Sequence, residues 1–145
     1  MKHLLLLLAF ISSSSLVYSQ GLPDTTQTAP ASLNGDWVDR NLSECLKDIN
    51  ITAPEQMECL AIALQAWEDQ LDYTYDLVVS QVDEPTKSSL KVSKTAWVNY
   101  KNAQFKFLEQ YYGNMQGTMY KQMMLSEKIE VIKKRYAELY NVAQD

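Results

Sequence analysis

The fold is decided by the stretch Glu84–Tyr112, which reads EPTKSSLKVSKTAWVNYKNAQFKFLEQYY. Its large apolar residues recur at the three-, four- and seven-residue steps of one helical face, at Leu90, Trp97, Tyr100, Phe107, Leu108 and Tyr111. We predict that Asp83 caps the start of this helix, that Pro85 lies in its first turn, and that Gly113 ends it. A long amphipathic helix cannot bury its apolar stripe alone. We therefore expect other helices to pack on it, with Trp97 at the centre of the core.

The same spacing predicts one helix before this stretch and one after it. The first begins at Thr52, where Thr52 and Glu55 match a capping box, and it runs to about Ser80 or Val82. Its inward residues are predicted to be Cys59, Leu60, Ala63, Trp67, Leu71, Tyr75 and Val78. The other covers about residues 118–142, with Met119, Met123, Ile129, Ile132, Tyr136 and Leu139 inward. Because short connections favour antiparallel neighbours, the predicted fold is an all-α antiparallel three-helix bundle with a disulfide-pinned N-terminal segment.

The chain of 145 residues divides into three segments by composition. Residues 1–19 are predicted to be a secretory signal peptide, since a basic start precedes the apolar run 4–11 and small residues follow. That run is too short to anchor the chain in a membrane. Residues 20–36 are predicted to be a flexible tether, and residues 37–145 the helical domain. The expected protein is periplasmic or secreted and has no transmembrane anchor after signal cleavage.

Cys45 and Cys59 are the two cysteines of the chain. In an exported protein an even pair predicts a disulfide, which would pin a short helix or turn at residues 37–47 to the helix that follows. The alternatives are two free thiols or half of a metal site. The one histidine, His3, lies in the predicted signal peptide, so a zinc site is disfavoured. We expect no metal and no cofactor.

The formal net charge of −5 argues against a nucleic-acid partner, because binding to phosphates requires a basic patch. It permits attraction to cationic partners, although acidity also keeps secreted domains soluble. Catalysis is disfavoured, since the chain has no Gly-rich phosphate loop, no serine elbow and no metalloprotease signature. Asp69, Asp72 and Asp76 share one helical side and could hold a cation, but such a row is usually exposed surface.

Three short motifs are spread over the predicted helical domain. In chain order they are Leu71-Asp72-x-x-Tyr75, Leu90-x-x-x-Lys94-x-x-Trp97-x-x-Tyr100-Lys101 and Arg135-x-x-x-Leu139. Together with Cys45 and Cys59, they resemble the DUF1311 family, also described as the lysozyme inhibitor LprI-like N-terminal domain. Members of that family often carry a second cysteine pair, and here Phe105 and residues 123–125 stand near its positions. The resemblance implies a helical domain and, as for a few members, inhibition of lysozyme.

The motif residues have two interpretations. They could form a recognition surface, or they could be structural. We predict the second, with Trp97 and Tyr100 in the core and Lys101 paired with an acid such as Asp72 or Glu68 on the neighbouring helix. A partly buried ion pair of this kind fixes helix register more than it adds stability.

The loop that follows the central helix contains the candidate partner contacts Tyr111, Tyr112 and Asn114. Aromatic side chains beside glycines suit a contact inserted into a protein cleft, and they equally suit a capped turn between helices. The leading hypothesis is therefore a non-enzymatic domain that binds or inhibits a cationic lysozyme-type cell-wall hydrolase.

Methionines provide a different hypothesis. Met115, Met119 and Met123 recur every four residues, and thioethers can hold Cu(I) in an exported protein. The alternative, which we favour, is that Met119 and Met123 fill an irregular core. A structural envelope protein with no soluble ligand is the third hypothesis.

Overall fold

The structure is a computed structural model, and it describes residues 35–144. Within these residues it consists of the helices α1 (Asp36–Cys45), α2 (Ala53–Gln81), α3 (Glu84–Gly113) and α4 (Thr118–Gln144). The all-α class is confirmed, but the three-helix bundle is wrong. Residues 36–45 form a fourth helix that buries Val38 in the common core. The predicted signal peptide and almost all of the predicted tether lie outside the described residues.

Successive helices run in opposite directions. Along α1 and α2, the pairs Trp37–Gln70 and Cys45–Cys59 meet, so residue numbers rise in one helix as they fall in the other. The same reversal relates α2 to α3 and α3 to α4, through the pairs Glu68–Lys101, Asp72–Lys94, Ser93–Arg135 and Glu109–Lys128. The predicted disulfide between Cys45 and Cys59 is present and joins the end of α1 to the second turn of α2.

The starts of α2 and α3 are capped as the sequence predicted. Thr52 and Glu55 form a capping box, and the Asp83 side chain accepts a hydrogen bond from the backbone N–H of Thr86 at 3.0 Å. The hydrogen bond from the Thr52 side chain lowers the pKa of the Glu55 carboxyl, and that from Thr86 lowers the pKa of Asp83. The Glu55 and Asp83 carboxyl groups are therefore ionised at neutral pH, which makes them effective hydrogen-bond acceptors.

The centre of the core lies between α2 and α4, with α1 closing one side. Trp67 of α2 is 3% exposed, and its ring meets the ring of Tyr136 edge-on with centroids 5.1 Å apart. Its indole N–H donates to Asp39 of α1 at 3.1 Å. The prediction that Trp97 occupies the centre is wrong, because Trp97 is only partly buried at the edge of this cluster.

The first described residue, Gly35, closes the core beneath Trp67. Its backbone N–H donates to the Tyr136 hydroxyl at 2.9 Å, and a Cβ at this position would overlap the indole ring of Trp67. Burial raises the pKa of Tyr136, so its hydroxyl remains protonated at neutral pH. The short approach of backbone to ring is why a side chain is excluded here.

Helix α3 contributes less to the core than α2 and α4 do, since Leu108 is its one buried residue. Three ion pairs connect it to its neighbours: Lys94–Asp72 at 2.7 Å, Lys101–Glu68 at 2.6 Å and Glu109–Lys128 at 2.6 Å. Lys101 thus pairs with Glu68, one of the two acids considered from the sequence. No helix within residues 35–144 has a stretch long and apolar enough to cross a membrane.

Candidate functional site

Several residues of the three short motifs identified in the sequence are buried in the core. Leu71 and Leu139 are 2% and 4% exposed, and Tyr75 is 1% exposed with its hydroxyl accepting from Arg135 Nε at 2.9 Å. Asp72 is different, because it lies on the surface and pairs with Lys94. The buried positions Leu71, Tyr75 and Leu139 therefore serve helical packing, whereas Asp72 is exposed.

Trp97 and Tyr100 instead line an open groove between α3 and α4, with a volume of about 400 Å³. The Tyr100 side chain is 56% exposed, so its predicted place in the core is wrong. The rest of the lining consists of Gln104, Glu127, Glu130, Val131, Lys134, Arg135 and Glu138. Helical spacing placed Tyr100 on the apolar stripe, but the stripe is wider than the face that α3 buries.

Arg135 fixes one wall of this groove. Its guanidinium donates to Ser93 on α3 and to Glu138, both at 2.8 Å, and to Tyr75 in the core. Burial lowers the pKa of Arg135, but the hydrogen bonds to Glu138 and Tyr75 outweigh that effect, and the pKa is raised. Arg135 is therefore a permanent cation whose position is set by the core, and it joins α3 to α4.

A second surface feature is the end of the bundle that carries the α1–α2 and α3–α4 loops, which we name the loop end. The side chain of Gln122 donates to that of Gln56 at 2.6 Å, which brings the start of α4 beside the start of α2. Within residues 35–144, eleven large apolar side chains are exposed, and six of them lie in these loops or within two turns of them, namely Leu46, Ile49, Phe107, Tyr111, Met119 and Met123. The loop end therefore carries just over half of the exposed large apolar side chains of residues 35–144, and such side chains are candidates for contact with a partner.

The three predicted partner contacts have different surroundings in the structure. Tyr111 is 51% exposed, and its ring stacks on Phe107 with centroids 5.8 Å apart and an angle of 24° between the planes. The Asn114 side chain donates to the backbone carbonyl of Gln110 at 2.8 Å and so caps the end of α3. Tyr112 is partly buried and meets Tyr111 edge-on at 5.1 Å. Tyr111 is thus the exposed aromatic member of the three, and Asn114 is exposed as well although its amide caps α3.

The prediction that Met119 and Met123 fill the core is also wrong, since they are 57% and 43% exposed. Met123 precedes the buried Ile132 by nine residues, which is two and a half helical turns, so the two point to opposite faces of α4.

Among residues 35–144, histidine, cysteine and acidic side chains form no group of three or more that could hold a metal ion. In the acidic row, Asp69 accepts a hydrogen bond from Gln65, and Asp72 is paired with Lys94.

Sequence reasoning missed Ile49, which at 96% is the most exposed large apolar residue in the part of the chain that the structure describes. The available signal was an isoleucine set between the turn-forming residues Asp48 and Asn50, outside every helical stripe.

The comparisons with known proteins give one match. A family model described as "Lysozyme inhibitor LprI" matches residues 37–139, which cover α1, α2, α3 and most of α4. No curated protein and no solved structure matches the chain.

Proposed function

We propose, from the premise that this chain belongs to the lysozyme inhibitor LprI family, that it binds a lysozyme-type cell-wall hydrolase and obstructs its cleft. The protein acts outside the cytoplasm, in the periplasm or after secretion, and performs no catalysis itself. The disulfide supports an extracytoplasmic location, because such bonds persist in oxidising compartments.

The observation that carries the proposal is the stacked pair of Phe107 and Tyr111 at the apolar loop end. Both side chains are more than half exposed, yet each already restricts the other by stacking. Large aromatic side chains with few rotatable bonds are typical anchors of protein interfaces. Enzyme clefts are concave and mostly apolar, so they can accept side chains of this kind.

Charge supports a cationic partner. Helix α2 contains six acidic residues and no basic one, and Glu58, Asp69 and Asp76 among them are exposed. A surface of one sign accelerates encounter with a protein of the opposite sign and directs its orientation. This effect should be strongest at low ionic strength, since salt screens exposed charges.

A lysis assay tests the proposal. We expect the purified chain to slow the lysozyme-driven loss of turbidity of a cell-wall suspension. Tyr111→Ala should weaken inhibition by about thirtyfold, equivalent to the roughly 2 kcal/mol of an interface anchor. Val92→Ala is the matched control, since Val92 is 69% exposed on the same helix but far from the loop end. Unchanged lysis at a large excess of wild-type protein, across several lysozymes, would refute the proposal.

A second candidate function is Cu(I) binding, favoured by the exposure of Met119 and Met123 on one side of α4. Thioethers four residues apart on a helix are neighbours and can bind one soft cation. Titration with Cu(I) should then give weaker binding for Met119→Leu and Met123→Leu than for the wild type. Equal affinities in all three proteins would dismiss this candidate.

A further inference from the structure

The α1–α2 loop, residues 46–52, presents an apolar side chain at its tip. Ile49 is 96% exposed there, and Leu46 at the base of the loop is 36% exposed. Burying an isoleucine side chain is favourable because it removes apolar surface from water. The free protein gains none of this at position 49, so the side chain contributes only when another surface covers it.

The backbone around Ile49 is held in a defined turn. The N–H of Ile51 donates to the carbonyl of Asp48 at 3.1 Å, and the N–H of Asn50 donates to the Asp48 side chain at 2.9 Å. Ile49 is therefore the second residue of a hydrogen-bonded turn whose first residue also supplies a side-chain acceptor. This arrangement directs Ile49 outward.

Both ends of the loop are fixed to the body of the protein. The Cys45–Cys59 disulfide precedes the loop, with the two Cα atoms 5.9 Å apart. The Thr52–Glu55 capping box follows it, and the backbone N–H of Thr52 donates to the Glu55 carboxylate at 2.8 Å. A loop ordered before binding loses little conformational entropy in a complex, and more of the contact energy then appears as affinity.

The surroundings of Ile49 identify the kind of partner. The turn lies at the loop end, the same end of the bundle as Tyr111 and Met119, because the contact between Gln56 and Gln122 places the start of α2 beside the start of α4. Asp48, next to Ile49, is exposed and acidic, and the nearby Lys47 is paired with Glu44 at 3.3 Å, so these three charges leave the turn net negative. An apolar tip beside a carboxylate complements an apolar socket with a cationic rim.

We infer that Ile49 is an anchor residue that inserts into an apolar socket in the cleft of the hydrolase, at the same end of the bundle as Tyr111. This inference rests on the proposed function, since it names a residue for that same interaction. The Asp48–Ile51 turn and the disulfide present the anchor, and Asp48 faces the cationic rim.

Binding of the full chain to a lysozyme, measured by calorimetry, and inhibition in the lysis assay test this inference together. Ile49→Ala should weaken Kd about tenfold or more, and Ile49→Asp should weaken it further, because a charge would enter the apolar socket. Ile62→Ala is the matched control, since Ile62 is 59% exposed on α2 and lies outside the loop end. Helical content by circular dichroism should stay the same in all variants, because both side chains point into solvent.

The outcomes separate the two proposals. If the wild type neither binds nor inhibits any lysozyme, the proposed function fails. If the wild type binds and Ile49→Ala binds as tightly as Ile62→Ala, the anchor is overturned and the proposed function stands. A loss of binding confined to the Ile49 variants supports both.

Discussion

Helices α2 and α3 have nearly the same length and similar aromatic stripes, but they are held in the protein by different forces. Helix α2 buries nine residues, including Trp67 at 3% exposure. Helix α3 buries one residue, and its tryptophan, Trp97, lines an open groove. The same spacing of apolar residues therefore produces a core helix in one case and a surface helix in the other.

Lysines explain much of this difference. Lys94 and Lys101 extend from α3 towards α2, pair with Asp72 and Glu68, and lie near aromatic rings, with Lys101 Nζ 5.8 Å from the centre of the Trp97 ring. Their aliphatic stems cover apolar surface while their charged ends remain near water. Charged and partly hydrated contacts of this kind hold a helix in place without burying it.

The largest expected effect compares the two tryptophans directly. Trp67→Ala should reduce the free energy of unfolding by about 3–5 kcal/mol, the usual cost of emptying a buried aromatic site. Trp97→Ala should cost about 1–2 kcal/mol, because part of its ring already faces solvent. Urea unfolding monitored by circular dichroism gives both values from the shift in midpoint. Equal losses for the two variants would show that α3 belongs to the core as fully as α2.

The next comparison uses two glycines. Gly35→Ala places a methyl group against the rigid indole of Trp67, and such overpacking costs about 1–3 kcal/mol. Gly113→Ala, at the end of α3, meets nothing within 4 Å and should change stability by no more than about 0.5 kcal/mol. Thermal unfolding of the two variants is the measurement. A similar Tm for both would mean that the contact between Gly35 and Trp67 is loose.

Local sequence signals predicted the helices well. Thr52 and Asp83 mark the starts of α2 and α3 through side-chain acceptors, and these caps act within a few residues of the chain. The disulfide followed from the pairing of Cys45 and Cys59 in a chain expected to be exported. Each of these features depends on residues that lie close together in the chain, so the residue types and their spacing are enough to predict it.

The sequence could not show which apolar stripe is central. Periodicity identifies a face, but whether a partner helix covers it depends on contacts between residues distant in the chain. Tyr100 and Met123 were therefore assigned to the core, although both are exposed. Ile49 is missed because periodicity ignores residues outside the helical stripes, and only its turn-forming neighbours Asp48 and Asn50 point to its exposure.

The smallest expected effect tests whether charge attaches α3. Lys101→Met keeps the aliphatic stem but leaves Glu68 without its ion-pair partner, and the two side chains are 20% and 28% exposed in the pair. The expected loss is about 1 kcal/mol, near the upper limit for ion pairs that are not deeply buried. Lys94→Met is the control, since the Lys94–Asp72 pair is 40% and 68% exposed and should contribute less.

Hydrogen exchange shows where that loss acts. If ion pairs hold α3 against α2, Lys101→Met should speed amide exchange along α3 and leave the buried part of α2 unchanged, because local opening requires only the contacts of the helix that opens. Raising the salt concentration should also speed amide exchange along α3 in the wild type, because salt screens the ion pair. It should speed exchange less in Lys101→Met, because that variant has already lost the ion pair. Equal acceleration in α2 and α3 would mean that the two helices open as one unit, and that the charged contacts are part of a single cooperative core.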